Sequence, residues 1–377
     1  MNRVKALGAA GQSVWLDYMQ RSLLTKGELA RLIENDGIRG LTSNPTIFQK
    51  AVESSSDYDE LFAELGARGA GVPETYDALT LRDIRDAARI FRPVWEATSR
   101  RDGYCSLEVS PKLAHDTKGS IEEARRLWKA LGAPNVMIKI PGTKEGVPAI
   151  EQCIGEGLNI NVTLLFSQEA YGSVAEAYLR GLERRAREGQ DVSGVASVAS
   201  FFVSRIDSEV EKRIAQARTG AVDERRSRLF DEVTGKVAIA NAKLAYRKYQ
   251  SLFAGPRWEA LAEKGARSQR VLWASTGTKS AKYSDVLYVE ELIGPDTVNT
   301  VPPATLDAFR DHGKVRGSLT EDVPGAEATM RKLEESGISM VSVTDALVVD
   351  GVKKFADSFD ELLKAIGDKL TARRGKT

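Results

Sequence analysis

Histidine and cysteine are scarce in this chain of 377 residues, which contains two of each. The histidines are His115 and His312, and the cysteines are Cys105 and Cys153. Catalytic zinc usually takes three protein ligands, often histidines, and a disulfide framework needs several pairs of cysteines. The scarcity therefore argues against both kinds of site. We expect chemistry that uses no metal and no cofactor and depends on lysine, carboxylates, amides and hydroxyls.

The chain also lacks a surplus of charge, with 54 lysines and arginines against 53 aspartates and glutamates. Proteins that bind nucleic-acid phosphates usually have basic surfaces, so we expect no nucleic-acid partner. The most apolar stretch, residues 195–203, is interrupted by serines and is shorter than the about 18 residues of a membrane span. Residues 1–11 do not contain the apolar core of a signal peptide. We therefore expect a cytoplasmic protein with no membrane partner.

Short apolar runs alternate regularly with longer helical patterns, which is typical of βα units around a parallel sheet. We predict eight strands, at residues 14–19, 38–44, 105–110, 136–141, 159–166, 195–203, 271–275 and 297–301. Eight such units fit a TIM barrel, whose usual length is about 250 residues. The remaining length is expected in insertions at about residues 46–103 and 206–269, and in a helical extension at 303–377, of one domain spanning 1–377. A doubly wound open sheet is the alternative.

Helices are predicted between the strands, and two of them carry capping signals. Thr25 and Glu28 form a capping-box pattern for a helix at 26–35. Ser120 and Glu123 form another for a helix at 120–131, which Gly132 is expected to end. Longer helices are predicted at 167–187 and 222–253.

Three charged residues, Asp17, Glu108 and Lys139, interrupt strands that should be continuously apolar in a helix-covered parallel sheet. Isolated buried charges are costly, so we expect these groups to meet, and in a barrel the meeting place is the C-terminal mouth. Lys139 is either a structural ion-pair partner of Glu108 or Asp17, or an amine nucleophile that forms a Schiff base with a carbonyl substrate. The two carboxylates are correspondingly either structural partners or the proton carriers of that reaction.

Uncharged polar residues occupy the neighbouring strands. Side chains alternate with period two along a strand, so Thr42 and Asn44 share one face of theirs, as do Asn161 and Thr163. These residues are either hydrogen-bonded groups of the core or ligands of a polyhydroxylated substrate.

A second polar group, Ser200, Phe202 and Arg205, ends a strand that runs into a helix. Arg205 is either a surface ion-pair residue or a phosphate ligand, because backbone N–H groups at the start of a helix favour anions. The segment from Ser275 to Lys279 follows another strand and could form a phosphate-binding turn.

Taken in order, these segments resemble the transaldolase family. The matching strings are residues 40–48, 107–109, 136–143, 161–167 and 199–207, and residues 271–279 and 292–302 are similar to a longer bacterial form. The resemblance implies a metal-free TIM barrel with a Schiff-base lysine on the fourth strand, where Lys139 lies. It implies transfer of a dihydroxyacetone unit from a ketose phosphate (sedoheptulose 7-phosphate or fructose 6-phosphate) to an aldose phosphate (glyceraldehyde 3-phosphate or erythrose 4-phosphate), in the non-oxidative pentose phosphate pathway.

The resemblance also implies roles for individual residues. Asp17 is similar to the acid/base that acts on the C4 hydroxyl, and Glu108 to the glutamate that works with a water near Thr163. The implied substrate-binding residues are Thr42, Asn44, Asn161, Ser200, Phe202, Arg205 and Ser275. One departure concerns the phosphate: where better-known transaldolases carry an arginine soon after the serine, this chain has Lys279, a point charge rather than a bidentate fork.

Two other functions stay open. The first is a Schiff-base aldolase that releases free dihydroxyacetone, such as a fructose 6-phosphate aldolase. The second is a non-catalytic barrel that binds sugar phosphates. Two histidines argue against a zinc-dependent aldolase. In each case we expect small sugar phosphates as partners and a monomer or homodimer.

Overall fold

Eight parallel strands close into a barrel in the computed structural model, which describes residues 2–374. The strands are β1 (Gln12–Asp17), β2 (Gly40–Thr42), β3 (Tyr104–Glu108), β4 (Val136–Pro141), β5 (Ile160–Leu165), β6 (Ser197–Phe202), β7 (Arg270–Ala274) and β8 (Thr297–Val301). Each strand pairs with the next along the chain, and β1 pairs with β8. The predicted TIM barrel is confirmed, and the open-sheet alternative is wrong. Residues 1 and 375–377 of the predicted domain lie outside the described residues.

Helices surround the barrel and occupy the long connections. In the described part of the chain they are α1 (Arg3–Ala9), α2 (Arg21–Thr25), α3 (Glu28–Asp36), α4 (Pro45–Ser54), α5 (Asp59–Ala67), α6 (Val72–Ala97), α7 (Thr117–Leu131), α8 (Gly146–Gly155), α9 (Gln168–Arg187), α10 (Ser204–Ala217), α11 (Glu224–Val233), α12 (Val237–Leu252), α13 (Pro256–Ala262), α14 (Leu287–Glu290), α15 (Pro303–His312), α16 (Val323–Glu335) and α17 (Met340–Arg374). Two 3₁₀ turns, Pro111–Leu113 and Ser318–Thr320, complete the helical structure.

The predicted helix at 222–253 is wrong as a single element, because α11 and α12 are separate. Between them Gly235 has a φ of +70°, a left-handed conformation that side chains disfavour. A Cβ atom there would lie 2.7 Å from the ring of Tyr283. The glycine thus ends one helix and lets the chain turn closely past Tyr283.

Both predicted capping boxes are misplaced. Thr25 ends α2, and α3 starts after Gly27, whose φ is +72°. The helix predicted from Ser120 starts three residues earlier, where the Asp116 carboxylate accepts the backbone N–H of Gly119 at 2.9 Å. The predicted stop is confirmed, since Gly132 closes α7 in the left-handed conformation.

Strands β2 to β8 are buried along their whole length. Helices cover their outer faces and side chains fill the interior, as in other parallel barrels. One helix also crosses the C-terminal end of the barrel: α17 packs against both α4 and α10, which follow β2 and β6. Polar residues at the strand ends therefore lie in a partly covered mouth.

Candidate active site

A cavity of about 550 Å³ opens at the C-terminal ends of the strands. Of the twelve predicted site residues, ten line it: Asp17, Thr42, Asn44, Lys139, Thr163, Ser200, Phe202, Arg205, Ser275 and Lys279. The other two, Glu108 and Asn161, lie behind this lining and are buried. The tertiary structure thus brings together residues that the sequence separates by more than 250 positions.

Lys139 lies in β4 and is only 5% exposed. Its Nζ atom is 3.2 Å from Oε2 of Glu108 and donates a hydrogen bond of 3.0 Å to the carbonyl oxygen of Ser43. The strand register explains these neighbours, because Lys139 pairs with Glu108 of β3 on one side and with Asn161 of β5 on the other. A buried amine that lines a cavity and lies beside a carboxylate can both attack a carbonyl and exchange its proton locally.

Glu108 is a buried carboxylate with few partners. Burial raises the pKa of Glu108 above its ordinary value, and the positive charge of Lys139 opposes that effect. Neither of its oxygens has a hydrogen-bond donor in good geometry, despite the ion pair with Lys139. The hydroxyl of Thr163 is also buried without a partner. Unpaired buried polar atoms are rare in folded proteins, so these groups are available to a substrate or a water.

The backbone of β5 is irregular beside Thr163. Its pairing with β6 changes register between Val162 and Leu165, and Leu164 has a φ of +60°. Bulges of this kind re-aim side chains and are common next to active sites. A left-handed leucine costs of order 1–3 kcal/mol, which the surrounding fold must offset.

Asp17 ends β1 and points into the same cavity. It accepts a hydrogen bond of 2.8 Å from the hydroxyl of Thr42, and that hydroxyl lies 2.6 Å from the hydroxyl of Thr300. Burial raises the pKa of Asp17, against the opposing effects of Lys139 and of the bond from Thr42. A carboxyl group with a raised pKa is suited to taking and returning a proton near neutral pH.

Amides and hydroxyls form a second chain beneath the cavity. Asn161 donates from Nδ2 to the hydroxyl of Ser106 at 3.0 Å and accepts from the hydroxyl of Ser200 at 2.7 Å. Asn44 caps α4 by accepting the N–H of Ile47 at 3.0 Å, and it lines the cavity. The predicted amides are therefore held rigidly in place.

Positive charges gather on one side of the mouth. The guanidinium of Arg205 lies 5.1 Å from the ring centre of Phe202, and its Nη1 atom is buried without a hydrogen-bond partner. Burial lowers the pKa of Lys279, and the nearby charges of Arg205 and Lys50 lower it further. Cations that destabilise one another in this way form a favourable place for an anion.

Ser275 shares that side of the mouth. It has a φ of +57°, and its hydroxyl lies 3.0 Å from the hydroxyl of Ser204, at the start of α10. Ser275 and Lys279, the two ends of the predicted phosphate-binding turn, thus line the same cavity as Arg205.

Sequence reasoning missed several lining residues. Lys50 lies on the face of α4 that carries Ile47 and Ala51, so helical spacing after the strand of Thr42 was a usable signal. Thr300 lies in β8, where three of the five residues (Thr297, Asn299 and Thr300) are polar although the strand is buried, and that composition was a usable signal. Phe355 of α17 has no local signal, because only the crossing of that helix brings it to the cavity.

The two histidines lie elsewhere. His115 contacts Glu145, and His312 contacts Asp285 and Asp311, all partly or fully exposed. Across residues 2–374 no three His, Cys, Asp or Glu side chains are grouped to hold a metal ion. No helix in the same range is long and apolar enough to cross a membrane.

Comparisons with known proteins agree with this geometry. The family model described as transaldolase/fructose-6-phosphate aldolase matches residues 14–366. "Transaldolase 2" of Nostoc punctiforme is 49% identical over 374 residues, covering 98% of each chain. "Transaldolase" of Parafrankia sp. is 48% identical over 365 residues and covers 97% of each chain, and "Transaldolase" of Saccharopolyspora erythraea is 48% identical over 370 residues and covers 98% of each.

These matches confirm the predicted resemblance and the prediction that the chain is a metabolic enzyme of the transferase class. They extend over nearly the whole length, including the barrel, the mouth and most of α17. The chain belongs to the transaldolase/fructose-6-phosphate aldolase family.

Proposed function

We propose that this chain transfers a dihydroxyacetone unit from a ketose phosphate to an aldose phosphate through a Schiff base on Lys139. The donor would be sedoheptulose 7-phosphate or fructose 6-phosphate, and the acceptor glyceraldehyde 3-phosphate or erythrose 4-phosphate. The observation that carries the proposal is the Lys139 amine, buried at the base of the cavity and 3.2 Å from Glu108. With these substrates the reaction would belong to the non-oxidative pentose phosphate pathway.

The first step forms the imine. Glu108 accepts a proton from the Lys139 ammonium, and the neutral amine attacks C2 of the ketose. The carbinolamine then loses its hydroxyl as water, with the proton supplied by Glu108 through a water beside Thr163. The unpaired oxygens of Glu108 and the unpaired hydroxyl of Thr163 support this assignment.

The second step breaks a carbon–carbon bond. Asp17 takes the proton of the C4 hydroxyl, the C3–C4 bond breaks, and its electron pair passes to the iminium to leave an enamine on Lys139. The aldose phosphate departs, and the acceptor enters. The enamine attacks its carbonyl, Asp17 returns the proton, and hydrolysis of the new imine regenerates the amine.

Recognition of the substrate is assigned to two sides of the mouth. Asn44 and the Asn161–Ser200 pair supply hydrogen bonds for the retained three-carbon unit, together with Thr42. The phosphate is assigned to Arg205, Ser275 and Lys279, and we add Lys50 because its charge acts on Lys279. Two lysines would then replace the bidentate arginine of better-known transaldolases.

The second candidate is an aldolase that releases free dihydroxyacetone. Phe202 favours transfer, because its ring packs against Phe166 at 5.2 Å and has no hydroxyl with which to orient a water at the imine. An absolute requirement for an aldose-phosphate acceptor would separate the two functions. The cytoplasmic location and the monomeric or homodimeric state stay predictions.

Borohydride trapping tests the covalent step. Fructose 6-phosphate and borohydride should add a reduced adduct to the peptide that contains Lys139, and Lys139→Ala should abolish it. Lys144→Ala removes an exposed lysine five residues away and is the matched control, which should keep the adduct. Asp17→Asn should still form the adduct while slowing cleavage by about 10²–10⁴-fold. An adduct on another lysine, or none, would contradict the mechanism.

A further inference from the structure

A second cavity, of about 340 Å³, lies at the N-terminal ends of the strands, opposite the candidate active site. Its walls include the first residues of three strands, Tyr104, Ser197 and Arg270. The turn between α6 and β3 and the segment before β7 complete it. None of the proposed catalytic or substrate-binding residues lines this cavity.

Arginine dominates its lining. Arg100, Arg101, Arg267 and Arg270 all line the cavity, and no aspartate or glutamate does. Two of the four have carboxylate partners: Arg270 pairs with Asp102 at 2.9 Å, and Arg101 pairs with Asp296 at 2.6 Å.

Arg100 and Arg267 have no carboxylate partner within residues 2–374. Two positive charges at the cavity are therefore not neutralised by an ion pair. Arg267 uses one N–H to bind the carbonyl oxygen of Arg100 at 3.0 Å, and the guanidinium of Arg100 lies 5.2 Å from the ring centre of Trp95. These contacts orient the two guanidinium groups but satisfy few of their ten N–H donors.

The turn that carries Arg100 is held in an unfavourable conformation. Ser99 and Arg100 have φ values of +49° and +67°, a left-handed conformation that residues other than glycine disfavour. The hydroxyl of Tyr104 donates to the carbonyl of Arg100 at 2.7 Å, and Arg270 donates to the carbonyl of Arg101 at 2.6 Å. The carbonyls of Arg100 and Arg101 are therefore occupied, while most guanidinium donors of Arg100 and Arg267 remain available.

From this juxtaposition we infer that the floor of the barrel is an anion site that binds a small multivalent oxyanion, such as a phosphorylated or polycarboxylate metabolite. Planar guanidinium groups bind carboxylate and phosphate oxygens in bidentate fashion, and two uncompensated charges match a ligand with at least two negative charges. The volume admits a small molecule and falls in the usual range of ligand pockets, roughly 300–1,000 Å³. The site is independent of the proposed function, because it shares no residue with the mouth.

Calorimetric titration with inorganic pyrophosphate tests the site. The background is Arg205→Ala/Lys279→Ala, which weakens anion binding at the mouth. In that background pyrophosphate should still bind, and adding Arg100→Gln/Arg267→Gln should weaken binding at least about tenfold. Adding Arg89→Gln/Arg225→Gln instead, at two arginines that are each 79% exposed, should leave the affinity unchanged.

Arg267→Lys distinguishes a guanidinium fork from simple charge, and it should give an intermediate affinity. If Arg100→Gln/Arg267→Gln does not unfold cooperatively, Arg267→Lys replaces it as the test variant. Absence of pyrophosphate binding in the background, or an affinity that the arginine substitutions do not change, would overturn the inference. Either failure leaves borohydride trapping at Lys139 unaffected, so the two proposals are tested separately.

Discussion

Two buried ion pairs occupy opposite ends of the same barrel, Lys139–Glu108 at the C-terminal mouth and Arg270–Asp102 at the N-terminal floor. Their N–O distances are 3.2 and 2.9 Å, and their four side chains are 2% to 7% exposed. They differ in hydrogen bonding. Asp102 accepts bonds from Ser13 at 2.8 Å and Trp15 at 3.3 Å in addition to Arg270, whereas neither oxygen of Glu108 has a donor in good geometry among the described residues.

The difference in hydrogen bonds is the one expected between a structural pair and the reactive pair that we propose at Lys139. Burial acts to raise the pKa of Asp102, but Arg270 and the hydrogen bonds hold it below its ordinary value. Burial raises the pKa of Glu108, and the opposing charge of Lys139 does not bring that pKa back to its ordinary value. A buried charge that lacks hydrogen bonds is costly, and such groups cluster where chemistry needs a mobile proton.

The largest expected effect comes from removing the mouth pair. Lys139→Met/Glu108→Leu should reduce the transfer rate by at least about 10⁴-fold, because it removes nucleophile and proton carrier together. The free energy of unfolding should stay constant or rise by about 1–4 kcal/mol, since apolar residues replace a poorly bonded ion pair. Initial rates and urea unfolding measure the two quantities. A large loss of stability would instead show that the pair stabilises the fold.

A single substitution in the floor pair should have the opposite effects, a large loss of stability and little change in rate. Arg270→Met removes one partner and leaves Asp102 buried and charged, so the free energy of unfolding should fall by about 3–5 kcal/mol. The kcat of the folded protein should change little, because Arg270 does not line the mouth. Urea unfolding and kcat, corrected for the folded fraction, check this prediction. If the variant is as stable as the parent, the Arg270–Asp102 pair does not stabilise the fold, and the two ion pairs do not differ in this respect.

Asp207 extends the comparison to a buried carboxylate that forms no ion pair within residues 2–374. It accepts the N–H of Ala238 at 2.8 Å and the hydroxyl of Tyr288 at 2.9 Å, and burial raises the pKa of Asp207 to about 6. The native state therefore binds a proton more tightly than the unfolded state does. Stability from this group is complete below about pH 4 and is lost as the pH rises through about 6.

Asp207→Asn should abolish that dependence while keeping both hydrogen bonds, because an amide can accept from Ala238 and donate to Tyr288. Relative to the variant, the parent should lose about 2 kcal/mol of unfolding free energy between pH 4 and pH 7. Asp231→Asn, at a side chain 69% exposed, is the control that should keep the parent's pH profile. Parallel profiles for parent and Asp207→Asn would show that this carboxyl does not titrate with folding.

The smallest effect is expected at the phosphate side of the mouth. Arg205→Lys keeps the charge but loses the planar fork and its contact with Phe202, so KM for phosphorylated substrates should rise about tenfold with a smaller change in kcat. Arg213→Lys, on the same helix and bound to Glu209, is the matched control. An unchanged KM for Arg205→Lys would show that Arg205 does not bind the phosphate.

The interruption of apolar strands made the mouth predictable. Asp17, Glu108 and Lys139 violate the expected pattern, and strand geometry brings such residues to one end of a barrel. Lys50 and Phe355 were missed because each belongs to a helix pattern that is ordinary by itself. The capping box at Thr25 failed because Gly27, in the left-handed conformation, separates Thr25 from the start of α3. The one at Ser120 failed because Asp116, four residues earlier, caps α7 with its side chain.

By itself the sequence determined the eight-stranded barrel, because periodicity is a local property that strand pairing must respect, and its motifs determined the family. The same motifs support Lys139 as the proposed nucleophile. Only the tertiary structure decided which polar atoms remain unpaired. Hydrogen-bond satisfaction depends on contacts between residues far apart in the chain, such as Asp102 with Arg270 and Ser13. The same packing gave Asp102 three hydrogen-bond donors and left both oxygens of Glu108, beside Lys139, without a donor in good geometry among residues 2–374.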